Sequence, residues 1–261
     1  MAITSLNSGF ETYVKANSEK REELKIYIER SEFSISFQPI VTFKTKTPDH
    51  FEMRCQFSTG NTQEWVTFGE DIGLVSAFDL GICDRAINYI NFSASRNRLQ
   101  FAINISSQSF EDPSFIKSLT ALLDGHTNKN LQERMIIEIT ETNHIKDLKS
   151  TTTHIQELKD RGFKITLDDC KDDPAIMAAI KSIRPSAIKI DGSLVQKAGN
   201  SLSDLERLKM LTKHCHKKNI QTIAKAIEDE KQIELLEKLG ITMGQGYYFG
   251  KPQDKPEFLS Q

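Results

Sequence analysis

Two adjacent carboxylates, Asp168 and Asp169, close a short β-rich run at Phe163–Leu167, and an amine, Lys189, lies near the end of a second run, Ala187–Ile190, just before Asp191. Between them, Pro174–Ile183 carries Ile176, Ile180 and Ile183 at helical spacing, with a proline suited to a first turn. The stretch therefore reads as a β-α-β unit whose parallel strands end in a carboxylate pair and an amine. Hard cations take oxygen ligands, so such a juxtaposition can hold a divalent cation and polarise a water. Two helix-capping aspartates and a surface lysine would explain the same residues without chemistry. The elements that place these groups decide between the two.

At 261 residues the chain has about the size of a (β/α)8 barrel. With 38% hydrophobic and 27% charged residues it has the composition of a globular protein with a real core. The net charge of −2 gives no electrostatic case for nucleic acid or an anionic membrane. Cys55, Cys83, Cys170 and Cys215 are scattered without a CxxC pair, which reads as free thiols in a cytoplasmic protein. No run approaches the ~20 apolar residues of a membrane span. Residues 1–17 are polar and aperiodic and are expected to be a disordered leader, with one domain over 18–261.

Taken in order, a charged amphipathic helix from Ser18 precedes strands at Ser34–Phe43 and Phe51–Phe57. Their connector, Lys44–His50, is far shorter than the dozen or so residues of a parallel crossover, so the pair is expected to be antiparallel. A capping-type segment through Trp65 and Phe68 leads into a helix at Ser76–Phe92. The strand Gln100–Ile105, a helix around Phe110–Leu123, the strand Met135–Ile139 and a helix Ile145–Arg161 follow. Beyond the central unit come a helix Leu202–Lys218, the strand Ile220–Ala224, a helix Lys231–Leu239 and a last apolar segment, Met243–Phe249. Eight strands alternating with helices predict an α/β fold, a modified TIM-type (β/α)8 barrel whose first strand is antiparallel.

In such a barrel the C-terminal strand ends converge on one face. There the sequence places Glu52, Asn104, Glu138, Glu141, Asp168, Asp169, Lys189, Lys225, Glu228 and Gln245. Each has an ordinary explanation as a cap or bridge. Together they form a set of oxygen ligands and amines whose burial would be costly without a function.

The chain resembles the EAL domain family of cyclic di-GMP phosphodiesterases from about Glu22 to Pro252. The likeness is carried by FQPIV at Phe37–Val41, FEM at Phe51–Met53, NISSQSF at Asn104–Phe110, IEITET at Ile137–Thr142, LDD at Leu167–Asp169, KID at Lys189–Asp191 and QGYYFGKP at Gln245–Pro252. The resemblance implies magnesium- or manganese-dependent hydrolysis of cyclic di-GMP to linear pGpG. It makes Glu52, Asn104, Glu138 and Asp168 metal ligands and gives Asp169 a share of a second metal. Lys189, Glu141 and Glu228 take catalytic roles, Glu141 by bracing the loop after Asp168, and Gln38, Gln56 and Gln245 contact the ligand.

Three departures from the family pattern stand out. AKAIE at Ala224–Glu228 replaces an AEGVE-like stretch, so Lys225 stands where the family has a glutamate and disrupts the second metal site. Gln56 stands where the family has a ligand-binding arginine, and the naming motif is Glu52-Met53-Arg54. The glycine-rich loop after the paired aspartates is Lys171-Asp172-Asp173-Pro174. The expectation is a degenerate domain in cyclic di-GMP signalling, a catalytically impaired receptor or protein-interaction regulator. The alternatives are an active phosphodiesterase and a barrel with an unrelated substrate. Magnesium or manganese is the implied cofactor if metal is bound, with cyclic di-GMP binding weakly. The other implied partners are a regulatory protein and a second copy of the chain, with no nucleic acid and no membrane.

Overall fold

The fold is taken from a computed structural model, which describes residues 17–30, 32–92, 99–126, 130–140 and 145–256. Eight strands close into one barrel in sequence order. They are β1 (Phe33–Thr42), β2 (Thr47–Phe57), β3 (Phe101–Ser106), β4 (Met135–Thr140), β5 (Lys164–Cys170), β6 (Ala187–Ile190), β7 (Gln221–Ala224) and β8 (Met243–Gly244). Strand β1 runs antiparallel to both of its neighbours, β2 and β8, and every other pair is parallel. The short connector between β1 and β2 leaves no room for a crossover, which is why the first strand is inverted.

Eleven described helices cover the outside. They are α1 (residues 17–30), α2 (Thr62–Asp71), α3 (Val75–Phe92), α4 (Ser107–Glu111), α5 (Pro113–Asp124), α6 (Leu131–Arg134), α7 (Leu148–Asp160), α8 (Pro174–Ile183), α9 (Gly192–Ala198), α10 (Leu202–His216) and α11 (Glu230–Lys238). Several differ from the sequence expectation. The segment through Trp65 is itself a helix, α2, capped by Asn61. The single helix expected at 110–123 is two, because Asp112 caps α5 and Pro113 occupies its first position, ending α4 at Glu111. Helix α9 was not anticipated; Asp191 caps it. The last strand is only Met243–Gly244, since the chain then turns through Gly246 to bond Tyr248 to Ile227. The expected 1–17 leader lies outside the described residues apart from residue 17.

Two apolar regions hold the barrel. The large one, between strands and helices, includes Phe51, Phe101, Phe110, Ile137, Ile188 and Leu211. A second, of Ile40, Ala187, Ile223 and Met243, plugs the barrel interior. Side chains two residues apart on a strand share a face. Those four therefore lie one layer from Gln38, Lys189, Lys225 and Gln245, so an apolar floor underlies the polar layer at the barrel mouth. Among the described residues no helix is long and apolar enough to cross a membrane.

Candidate functional site

Strand periodicity alone does not turn two consecutive residues to one face, yet Asp168 and Asp169 both reach the same ammonium. A register shift between Leu167 and Cys170 makes this possible, with Asp169 in the left-handed region at φ 50°. Neither aspartate is a helix cap; Asp173 and Asp191 fill that role for α8 and α9. Instead Lys225 Nζ donates to Asp168 Oδ1 at 2.9 Å and Oδ2 at 3.0 Å, and to Asp169 Oδ1 at 2.6 Å. Burial would lower the lysine's pKa, but the attraction of Asp168, then Asp169, raises it against repulsion from Lys189.

Deeper in the mouth, Lys189 is 1% exposed and donates to Glu52 Oε2 at 2.9 Å and Glu138 Oε2 at 3.0 Å. Burial opposes its charge, yet Asp168, Glu138 and Glu52 together hold its pKa well above the usual lysine range. Burial would also raise Glu52, but Lys189 and Arg54, with hydrogen bonds from Gln245 and Asn104, bring it well below the usual carboxylate range. Glu138 goes the other way: burial, reinforced by Glu52 and Asp168, raises it despite Lys189.

Neighbouring strands complete the layer. Asn104 Nδ2 donates to Glu52 Oε1 at 2.8 Å, and Asn104 sits opposite Glu138 in the β3–β4 register. Gln38, paired with Glu52 across β1–β2, accepts from Gln245 Nε2 at 3.2 Å and from Arg54 Nη1 at 3.1 Å, and donates to the Gly250 carbonyl. Gly246 lets this corner close, because a Cβ there would fall 2.0 Å from the Ile227 carbonyl oxygen.

Above these groups lies a cavity of about 790 Å³, whose lining includes Glu52, Gln56, Asn104, Asp168, Asp169, Lys225 and Gln245. Glu228 is not brought in: it is exposed and its carboxylate accepts from Gln196 at 3.4 Å. Glu141 lies outside the described residues. Sequence reasoning gave no role to Arg54 and Asp79 in the wall, or to Glu70 bonded behind it. Arg54 lies on the same strand face as Glu52, a relation that the two-residue period contains. Asp79 accepts from Ser106 N and Ser109 Oγ, and Glu70 accepts from Ser106 Oγ. Burial pushes Asp79 up to about 7. Nothing in the local sequence around Glu70 or Asp79 shows that α2 and α3 turn them toward β3.

The donor set fits one hard cation better than two. Asn104 Oδ1 and Glu138 Oε1 are buried without a hydrogen-bond partner among the described residues, and both are oxygen acceptors of the kind such a cation takes. With Lys189 wedged between Glu52 and Glu138, however, no three Asp, Glu, His or Cys side chains among the described residues form a ready metal-holding cluster. At Asp168 and Asp169 the fit fails, because the Lys225 ammonium already takes three of their oxygens.

Comparison with known proteins agrees with this geometry. A family model described as EAL domain matches residues 21–252. Cyclic di-GMP phosphodiesterase PdeF of Escherichia coli (strain K12) is 24% identical over 238 residues, covering 90% of this chain and 32% of that protein. Cyclic di-GMP phosphodiesterase PdeA of Borreliella burgdorferi is 29% identical over 177 residues, covering 67% of this chain and 26% of that protein. The chain thus spans only a fraction of the length of these relatives. Among solved structures, the Xanthomonas citri FimX EAL domain in complex with c-diGMP matches with a TM-score of 0.82 at 15% identity, over 95% of this chain and 100% of that one. That likeness speaks for the barrel, and the family match spans the whole of it: the chain belongs to the EAL domain family.

Proposed function

We propose that this is a degenerate EAL domain of cyclic di-GMP signalling, a receptor with little or no phosphodiesterase activity. The observation that carries the reading is Lys225, whose ammonium bonds three oxygens of Asp168 and Asp169 where a second cation would otherwise sit. Two unit charges at ~4 Å interact by about 4 kcal/mol at an effective dielectric near 20, so a divalent cation beside that ammonium is opposed by roughly twice as much. The aspartates need no cation, since the lysine already compensates them. At the first position Glu52, Asn104 and Glu138 would hold magnesium or manganese, which would polarise a phosphoryl oxygen there, while Asp168, the fourth ligand that the resemblance implies, is engaged by Lys225.

On this reading the residues of the mouth bind and orient. Gln56 and Gln245 line the cavity and offer amides to the ligand, whereas the Gln38 amide is taken up by Arg54, Gln245 and the Gly250 carbonyl and positions Arg54, and Lys189 fixes Glu52 against Glu138. The second reading, an active phosphodiesterase, is favoured by the two unpartnered oxygens at the first position and by the activity named for the curated relatives.

Calorimetric titration of the intact chain with cyclic di-GMP, in EDTA and again with manganese, separates the readings. The receptor binds in both with similar affinity. Binding that appears only with manganese would overturn the receptor reading, and no binding in either buffer would leave only a regulator that acts through a protein partner.

A further inference from the structure

Of the two cations that line the cavity, Lys225 is saturated by Asp168 and Asp169, and Arg54 is not. Arg54 sits in the middle of β2, two residues from Glu52 and two from Gln56, so all three side chains share the face that looks into the mouth. It is exposed, although Glu52 on the same face is buried. Its guanidinium has five N–H donors, and among the described residues it forms one hydrogen bond, from Nη1 to Gln38 Oε1. Among the described residues no carboxylate lies within ion-pair distance of it. The floor beneath is different: Glu52 and Glu138 share Lys189, and Asp168 and Asp169 share Lys225.

We infer that Arg54 is the residue that grips a phosphodiester of the cyclic dinucleotide, by a forked, charge-assisted pair of hydrogen bonds at the cavity rim. The inference rests on the receptor reading above and deepens it. A phosphodiester entering a mouth floored by carboxylates meets repulsion unless a cation with free donors faces it. The planar fork of a guanidinium matches two phosphate oxygens at once, which an ammonium or a neutral amide does not. Gln38 holds the base of that fork and is itself held by the Gly250 carbonyl, so the guanidinium is partly oriented before any ligand arrives. The weak binding expected from the neutral Gln56 is thereby offset from the adjacent position on the same strand face.

The test is calorimetric titration of the intact chain with cyclic di-GMP in EDTA, comparing the unmodified protein, Arg54→Gln, and the exchange Arg54→Gln with Gln56→Arg. Circular dichroism and thermal melting confirm that each is folded, as expected for changes at two exposed positions. The expected result is a loss of about ten- to a hundredfold in affinity for Arg54→Gln and recovery of most of it in the exchange, since the guanidinium then reaches the same cavity from one pleat further along. Unchanged affinity in Arg54→Gln overturns the inference and leaves the receptor reading standing. Loss without recovery also overturns it, because that pattern belongs to a prop for Gln38. Absence of binding by the unmodified chain overturns both.

Discussion

Lys189 shows how much of the mouth is organised by single side chains. Its ammonium is almost wholly desolvated and is held by one oxygen each of Glu52 and Glu138. Burying three ionisable groups is costly, and replacing a whole buried ion-pair set by apolar residues is often neutral. Removing only the lysine is not, because the buried Glu52 carboxylate then loses the cation that compensates it. Lys189→Met is expected to lose about 3–5 kcal/mol of stability, read from urea unfolding of the variant against the unmodified chain. A loss below ~1 kcal/mol would mean that the two glutamates do not depend on it. At this scale much of the mouth was legible, since Asp168, Asp169, Lys189 and Lys225 announce themselves as charges at the ends of apolar runs. Arg54 did not, because an exposed arginine in a strand is ordinary until its neighbours are known. Glu228 misled for the opposite reason: the sequence places it only three residues after Lys225, but the backbone turns at Ala226 and carries it out to solvent.

That turn belongs to the loop from β7 to α11, which packs against the start of α9 just after Lys225. Ala226 sits in the left-handed region at φ 58°, a conformation that costs a residue with a Cβ roughly 1–2 kcal/mol. Against it packs Gly192, the first residue of α9, where an added Cβ would fall 2.8 Å from the Ala226 Cβ. Gly192→Ala is therefore expected to destabilise by about 1–3 kcal/mol through overcrowding. Ala226→Gly removes both the crowding methyl and the backbone strain, so the double variant should recover much of the loss, with a coupling of about 0.5–3 kcal/mol. Equilibrium unfolding of the four proteins measures this cycle, and strictly additive effects would show that the two positions do not touch. The elements were legible where local rules dominate. The brevity of Lys44–His50 gave the inverted strand, and Pro174 with three spaced isoleucines gave α8. Helices α2 and α9 were missed because each starts from a polar cap, Asn61 or Asp191, that reads equally well as loop. The truncation of β8 comes from the packing of Gly246 on Ile227, a contact between distant segments that local sequence does not carry.

The whole molecule is a closed barrel with an apolar plug under a layer of paired charges, and its chemistry turns on how that layer is neutralised. In this chain lysines do the neutralising: one between Glu52 and Glu138, another across Asp168 and Asp169. A layer compensated from within has less need of cations, which is the physical basis of the receptor reading proposed above. The fold as a whole was legible from eight strands alternating with helices. Compensation of Asp168 and Asp169 was legible in the lysine at position 225, whereas that of Glu52 and Glu138 by Lys189 was not, because the sequence does not say which strand-end groups meet. The most direct measurement is incubation of the unmodified chain with cyclic di-GMP and excess manganese, followed by chromatographic quantification of linear pGpG. No product is expected above a protein-free control, with turnover appearing in Lys225→Glu, whereas robust turnover by the unmodified chain would contradict the receptor reading.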